Sequence, residues 1–316
     1  MKILVTIPNF TEAARGALAP FGEVIYRTPT QDELASMLAD CDAVLCGLGL
    51  RFDQATLAGA KKLKVLATAT TGLDHLDLAV AEVKGITVLS LRGEEEFLNS
   101  ITGTAELAFA LLLNLARRIP PALAAVKQGR WERERFRGHA LAGQTLGVVG
   151  VGRLGRMMVR YGRAFGKRVL GHDPKVDVAV HGAEPVSFEK LLAESDFVSL
   201  HLHLAPETTK LFNRQVFARM KPSAYLINTS RGEIVDESDL LAALASGQLA
   251  GYATDVLAGE NNFGERAVSH PLIDYAQTHD NLIIVPHLGG MTYQSREATD
   301  RFIAQKLAAY LKNQNV

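Results

Sequence analysis

The 316-residue chain carries 34 Lys and Arg against 34 Asp and Glu, so its formal charge is zero, and hydrophobic residues make up 47% of it. That balance offers no electrostatic attraction to nucleic acid or to an anionic membrane, and the composition is that of an ordinary globular protein. The length fits one large domain or two ordinary ones.

Two cysteines, Cys41 and Cys46, are too few for a disulfide framework, the usage expected of a reducing cytoplasm. No cluster of Cys and His has metal-ligand spacing, so no metal is expected. The N-terminus reads as a first strand rather than as a signal peptide. No run of about 18 apolar residues stands out, so no membrane span is expected.

In the first hundred residues, short apolar runs at 2–7, 24–26, 43–46, 63–67 and 87–89 alternate with helical patterns at 32–39, 54–60 and 76–84. Alternation of this kind implies a parallel sheet covered on both faces. Asp74 and His75 precede the last of these helices, where Asp is a good cap. Residues 99–118 form a long helix, apolar nearly all round, with Ile101, Leu107, Ala108, Leu111, Leu112 and Leu115. Such a helix must be buried on most sides, against another domain or, the favoured reading because a domain boundary has little local core to cover it, against a second subunit. Pro120 and Pro121 interrupt it, and 121–131 continues helically. The alternating charges of 130–135 read as a solvated helix face.

A glycine motif follows. Residues 144–149 read as a buried strand, Gly150-Val151-Gly152-Arg153-Leu154-Gly155 as a tight turn, 153–165 as a helix, and 168–172 as a second strand ending at Asp173. Strand, Gly-x-Gly-x-x-Gly, helix, strand and acid form the dinucleotide-binding fingerprint in its required context. Gly150 allows the turn, Gly152 lets the backbone approach a pyrophosphate, and Gly155 lets the helix pack near the sheet. The helix start offers unpaired N–H groups and a positive dipole end to phosphate. A carboxylate at Asp173 accepts from the ribose hydroxyls and repels a 2′-phosphate, which favours NAD over NADP, although Lys175 weakens that preference.

Further strands are expected at 197–202, 224–228, 251–255 and 281–286, with a helix capped by Asp236 and ended by Gly247. Residues 257–276 read as an irregular active-site loop and 293–311 as a final amphipathic helix. Ligands of open parallel sheets sit beyond the carboxyl ends of the strands. The residues 229–232, 255–260 and His287 fall there. An Arg, a Glu and a His at strand ends point to chemistry on an anionic substrate. His201 and His203, which alternate with leucines, read as histidines satisfied within the fold.

These motifs together resemble the D-isomer-specific 2-hydroxyacid dehydrogenase family over essentially the whole chain. The resemblance is carried by 150–155, Met220-Lys221-Pro222, Ile227-Asn228-Thr229-Ser230-Arg231-Gly232, Val235-Asp236, 251–256 and Pro286-His287-Leu288-Gly289-Gly290. Its overall flavour is closest to the phosphoglycerate dehydrogenases. It implies an α/β architecture in which a Rossmann-type NAD domain, 99–287, is inserted into a flavodoxin-like substrate domain, 1–98 plus 288–316. It also implies a homodimer formed through the helices that begin the NAD domain, to which residues 99–118 belong.

Arg231, Glu260 and His287 match the family's catalytic positions: the arginine that binds the substrate carboxylate and carbonyl oxygen, the acid paired with the histidine, and the proton donor and acceptor. Thr71, Gly72 and Leu73 match the substrate-domain loop whose amides hold the carboxylate. Gly150, Gly152, Arg153, Leu154, Gly155 and Asp173 match the pyrophosphate and ribose side of NAD, and Thr229, Ser230, Asp255 and Gly290 match its nicotinamide side.

The implied function is hydride transfer between nicotinamide and C2 of a small D-2-hydroxy or 2-oxo acid, phosphoglycerate-like or hydroxypyruvate- and glyoxylate-like. The alternative is a non-catalytic NAD-sensing protein on the same scaffold, as in the C-terminal-binding-protein corepressors. Asn261 stands where the family usually has Pro. Gly49 falls near an arginine that several phosphoglycerate dehydrogenases point at the phosphate, with Arg51 close by. The chain ends after the core, so no regulatory C-terminal domain is expected.

Overall fold

A computed structural model of the protein describes residues 1–260, 263 and 269–314. The described chain divides into two compact units. One comprises residues 1–101 and 292–314, and the other residues 102–260 and 269–291.

The first unit is built on five parallel strands, β1 (Lys2–Val5), β2 (Glu23–Tyr26), β3 (Ala43–Cys46), β4 (Val65–Thr68) and β5 (Thr87–Leu89), in the order β2-β1-β3-β4-β5. Successive side chains of a strand point to opposite faces. Ile3, Val5, Ala43, Leu45, Val65 and Ala67 therefore enter one core, with Ala14 and Leu18. Leu4, Val44, Cys46 and Leu66 enter another, with Leu34, Leu38 and Leu57. Both faces are covered, which is why these strands are continuously apolar rather than alternating. The 21-residue helix Tyr293–Asn313 closes the first core with Ile303, Ala304, Leu307 and Leu311.

The second unit holds seven parallel strands, β6 (Thr145–Val149), β7 (Arg168–His172), β8 (Glu184–Pro185), β9 (Phe197–Leu200), β10 (Tyr225–Asn228), β11 (Gly251–Thr254) and β12 (Leu282–Ile284). Their order is β12-β11-β10-β9-β6-β7-β8. The chain runs outward from β6 to β8, then restarts at β9 on the other side, so the order reverses between β6 and β9. A reversal of this kind opens a crevice at the carboxyl ends of the two central strands. The glycine turn leaves β6 at that point.

The helix Gly103–Arg117 buries Ala108, Leu111, Leu112 and Leu115 against Leu146, Val148, Met158, Phe197, Ile227 and Ala253. Losing one such leucine side chain costs about 2–5 kcal/mol. By length and composition alone, the stretch Glu95–Arg117 is apolar enough to cross a membrane. Eight residues of Gly103–Arg117 are buried, and those named above serve the core of this unit.

Several boundaries differ from expectation. The helix expected over 99–118 begins at Gly103 and ends at Arg117, because Arg118 takes a left-handed conformation with φ of 51°. A second helix, Ile119–Lys127, starts there, with its prolines in the first turn, where a missing N–H costs nothing. It stops short of 131, and Arg133–Phe136 is a 3-10 turn instead of the continuing helix that 130–135 implied. In the first unit the helix Leu78–Val83 is capped by Asp77, whose side chain accepts from Val80 N at 3.0 Å, not by Asp74. His75 is buried, with Nε2 3.2 Å from Thr68 Oγ1. Residues 257–276 are not irregular throughout: Pro271–Ala276 is helical, with Leu272 fully buried. Asn261, Asn262 and Gly264 lie outside the described residues.

The helix Glu237–Ser246 depends on Asp236, which accepts from Ser238 N and Asp239 N, both at 3.2 Å. Asp236→Ala should lower stability by about 1 kcal/mol at neutral pH. The Ser238 hydroxyl, then the Asp239 N–H and Lys210, hold the Asp236 carboxyl down to about 2 in the folded protein. Because that value is depressed, the stabilisation is complete above the unfolded value of about 3.9 and fades as pH falls towards 2. Denaturant midpoints of wild type and Asp236→Ala should therefore converge below about pH 4.

Candidate active site

The turn after β6 is set by close backbone approach. Gly150 has φ of 85°, and a Cβ there would run into the His201 carbonyl. A Cβ on Gly155 would meet the Gly150 carbonyl, so the helix Arg153–Ala164 sits this near the turn only because residue 155 is glycine. A side chain on Gly152, the N-cap, would point into open space. The helix start therefore faces open space bounded by backbone, a cradle that a pyrophosphate fits. Burial, then the charge of Arg156, hold the Arg153 guanidinium below its ordinary value.

Asp173 lies just past β7. Its Oδ2 accepts from Val151 N and its Oδ1 from Lys175 N, both at 2.8 Å. The carboxylate thus braces the glycine turn and keeps lone pairs beyond those two bonds.

At the end of β10 the chain makes a buried polar turn. Asn228 Oδ1 accepts from Ser230 N at 2.9 Å, and its Nδ2 donates to Arg231 O at 2.9 Å. The Ser230 hydroxyl donates to Leu200 O at 2.8 Å and accepts from Leu202 N at 3.1 Å, so it ties β10 to the end of β9. The Thr229 hydroxyl is buried and has no hydrogen-bond partner among the described residues. Of these two expected cofactor contacts, Thr229 therefore has the side chain available for a ligand. Arg231 Nη1 donates to Ser230 O at 2.7 Å.

His287 and Glu260 meet, Nδ1 to Oε1 at 2.5 Å. His287 follows β12 with φ of 51°, and its N–H donates to Asp255 O and Val285 O. A left-handed histidine is uncommon and persists where the surroundings over-determine it. Here Asp255 does so: its carboxylate, 2% exposed, accepts from Leu288 N and from Gly289 N. Burial pushes the Asp255 carboxyl up to about 6, against the lowering influence of His287 and the two N–H groups. Burial alone would lower the His287 pKa. The hydrogen bond and charge of Glu260, with the charge of Asp255, outweigh burial and the opposing Arg231 charge, so the imidazole is raised above its ordinary value. Gly290 is exposed, with open space around it.

In the other unit, Thr71-Gly72-Leu73 follows β4. Thr70 Oγ1 donates to Gly72 O at 2.7 Å, and Arg92 Nε donates to Thr71 O at 3.3 Å. His201 is half satisfied. Its Nε2 lies 2.9 Å from Ser199 Oγ, while Nδ1 is buried without a hydrogen-bond partner among the described residues, and burial lowers its pKa to about 4. This corrects the reading of it as fully satisfied.

Sequence reasoning missed Glu233 and Glu237. Glu233 Oε1 accepts from Gly259 N at 3.1 Å and Glu237 Oε1 from Ala258 N at 2.9 Å, immediately before Glu260. Their separation of 21 and 26 residues from these partners leaves no local signal.

Residues 109–289 match the family model described as "D-isomer specific 2-hydroxyacid dehydrogenase, NAD binding domain". The chain is 35% identical over 319 residues to D-3-phosphoglycerate dehydrogenase of Methanocaldococcus jannaschii, covering 99% of this chain and 58% of that protein. It is 35% identical over 299 residues to glyoxylate reductase of Thermococcus litoralis, covering 91% and 86%. The chain thus spans little more than half the length of the phosphoglycerate dehydrogenases it matches. Among solved structures, D-lactate dehydrogenase from Aquifex aeolicus in complex with NAD and lactic acid superposes with a TM-score of 0.87 at 27% identity, over 99% of this chain and 96% of that one. With the glycine turn, the strand order and these matches in agreement, the chain belongs to the D-isomer specific 2-hydroxyacid dehydrogenase family, whose NAD-binding domain it carries.

Proposed function

We propose that the protein is an NAD-dependent oxidoreductase that interconverts a small 2-oxo acid and its D-2-hydroxy acid. The observation that carries this reading is the His287–Glu260 pair, held beside Arg231 at the carboxyl ends of a dinucleotide-type sheet. The unit built on β6–β12 is the NAD domain, and the unit built on β1–β5 is the substrate domain, with Thr71, Gly72 and Leu73 as its carboxylate loop. The names of the relatives favour phosphoglycerate-like or glyoxylate-like acids among the substrates.

NAD would be held by the turn at Gly150, Gly152 and Gly155, by Arg153, Leu154 and Asp173, and by Thr229, Ser230, Asp255 and Gly290. When bound in reduced form it supplies a hydride to the substrate's C2. Arg231 holds the substrate carboxylate and polarises the 2-oxo group, since a guanidinium offers two parallel N–H donors. His287 gives its Nε2 proton to the oxygen at C2, because Nδ1 is engaged by Glu260. Glu260 fixes the ring and stabilises the imidazolium. In oxidation the same nitrogen takes the proton back.

The test is nicotinamide absorbance with NADH against hydroxypyruvate, phosphohydroxypyruvate, glyoxylate and pyruvate. His287→Ala should cut kcat by about a hundredfold or more with NADH affinity unchanged. Undiminished turnover in that variant would remove His287 from the mechanism.

Reduction needs the charged imidazole. The rate should therefore hold at low pH and fall as pH rises through a value above the ordinary histidine pKa of about 6.5. Glu260→Gln removes the raising influence, so the fall should move to lower pH. A fall at the same pH in both proteins would contradict the pairing.

Homodimerisation belongs to the same proposal. The helix Ile119–Lys127 leaves Leu123 57% and Val126 51% exposed, and Trp131 beyond it is 87% exposed. Apolar surface of this kind suits a self-complementary contact about a two-fold axis. Leu123→Glu together with Val126→Glu should sediment as a monomer where the wild type sediments as a dimer. Equal sedimentation of the two would exclude this face as the contact.

A further inference from the structure

The turn that carries Glu260 is held by acids from elsewhere in the chain. Leu257, Ala258 and Gly259 present three backbone N–H groups, and each is accepted by a different carboxylate. Glu260 Oε2 takes Leu257 N at 3.0 Å, Glu237 Oε1 takes Ala258 N at 2.9 Å, and Glu233 Oε1 takes Gly259 N at 3.1 Å. The backbone at Gly232 lies so close that a Cβ there would collide with Leu257 and Ala258. Glu237 is engaged on its other oxygen as well: His270 Nε2 lies 3.2 Å from Oε2, and both side chains are at least four-fifths buried. Leu272 N donates to His270 Nδ1 at 3.3 Å. An acceptor at Nδ1 places the ring proton on Nε2, pointing at Glu237. Glu237 must then be a carboxylate, since both oxygens accept.

We propose that Glu237, locked by His270, is a positioning residue that sets Glu260 against His287. The proposal rests on reading His287 as the proton donor. The chain of contacts is direct: His270 orients Glu237, Glu237 fixes the Ala258 amide, and that turn aims the Glu260 carboxylate at Nδ1. Glu233 supports the neighbouring amide. If the turn relaxes, Glu260 withdraws and His287 loses what offsets its burial. The charged groups facing His287 are Glu260, Asp255 and Arg231, and those facing Glu237 are His270 and Glu233. Only Glu260 is seated by the clamp, so its effect should reach His287 through Glu260.

The experiment titrates the His287 imidazole by NMR in the full chain with ring-labelled histidine, assigned with His287→Asn, alongside steady-state kinetics. Glu260→Gln is the reference. Glu237→Ala should lower the His287 pKa by about half a unit or more, in the direction of the reference, and lower kcat about tenfold with KM for NADH unchanged. Glu237→Gln should fall between, because its amide oxygen still accepts from Ala258 N while its NH2 opposes the His270 N–H. His270→Asn should resemble Glu237→Gln and serves where Glu237→Ala does not fold.

An unmoved His287 titration in Glu237→Ala and His270→Asn, with Glu260→Gln shifted, overturns the proposal. A loss of kcat with an unmoved titration does so too, because it marks a purely structural role. A lowered His287 pKa in Glu237→Ala, with a wild type that reduces no 2-oxo acid, upholds the clamp and removes the dehydrogenase reading instead.

Discussion

Asp255 holds the geometry of the candidate site together. It stands at the carboxyl end of β11, 2% exposed, and accepts from the amides of Leu288 and Gly289 while its own carbonyl accepts from His287 N. A buried carboxylate is costly unless hydrogen bonds satisfy it, and backbone amides of the turn after β12 supply them here. Satisfying Asp255 therefore dictates where that turn runs. The turn in turn forces His287 into a left-handed backbone with φ of 51°. The direction in which the imidazole points follows from an acid that reaches it only through backbone and charge.

The same device recurs around it. Asp173 braces the glycine turn through Val151 N, Asn228 braces the turn that carries Arg231, and Glu233 and Glu237 brace the turn that carries Glu260. Each strand of the sheet ends in a loop, and loops lack the ladder that satisfies strand amides. Buried side-chain oxygens replace the ladder. The side-chain oxygens thereby fix the backbone of these turns, the kind of support that a preorganised site needs.

Much of the fold was legible in the sequence. Most strands of both units appear where apolar runs predict them, because a strand covered on both faces is apolar at most positions; the exposed two-residue strand β8 (Glu184–Pro185) at the sheet edge carries no such run and was not expected. The Gly150–Gly155 turn was legible for the same kind of reason: close approach admits only glycine, and that leaves a mark in the residue type itself. Misplacements cluster at boundaries. Arg118 ends a helix by a left-handed residue that no propensity announces, Asp77 rather than Asp74 caps the helix Leu78–Val83, and Pro271–Ala276 is a helix too short for periodicity to reveal.

The sequence by itself determined what is local or compositional: the parallel α/β pattern, the dinucleotide turn with its acid, and the family to which the motifs belong. The tertiary structure alone decided which distant groups meet. It gave the Glu260–His287 pairing, which the resemblance had implied, its contact across 27 residues, and it joined Glu237 to Ala258 across 21 and Asp255 to Leu288 across 33, which nothing in the sequence signalled. It also decided that the Ser230 hydroxyl serves the fold while the Thr229 hydroxyl is left for a ligand. A hydrogen bond depends on ångströms and angles at its two ends, and those are fixed only once the strands between them have packed.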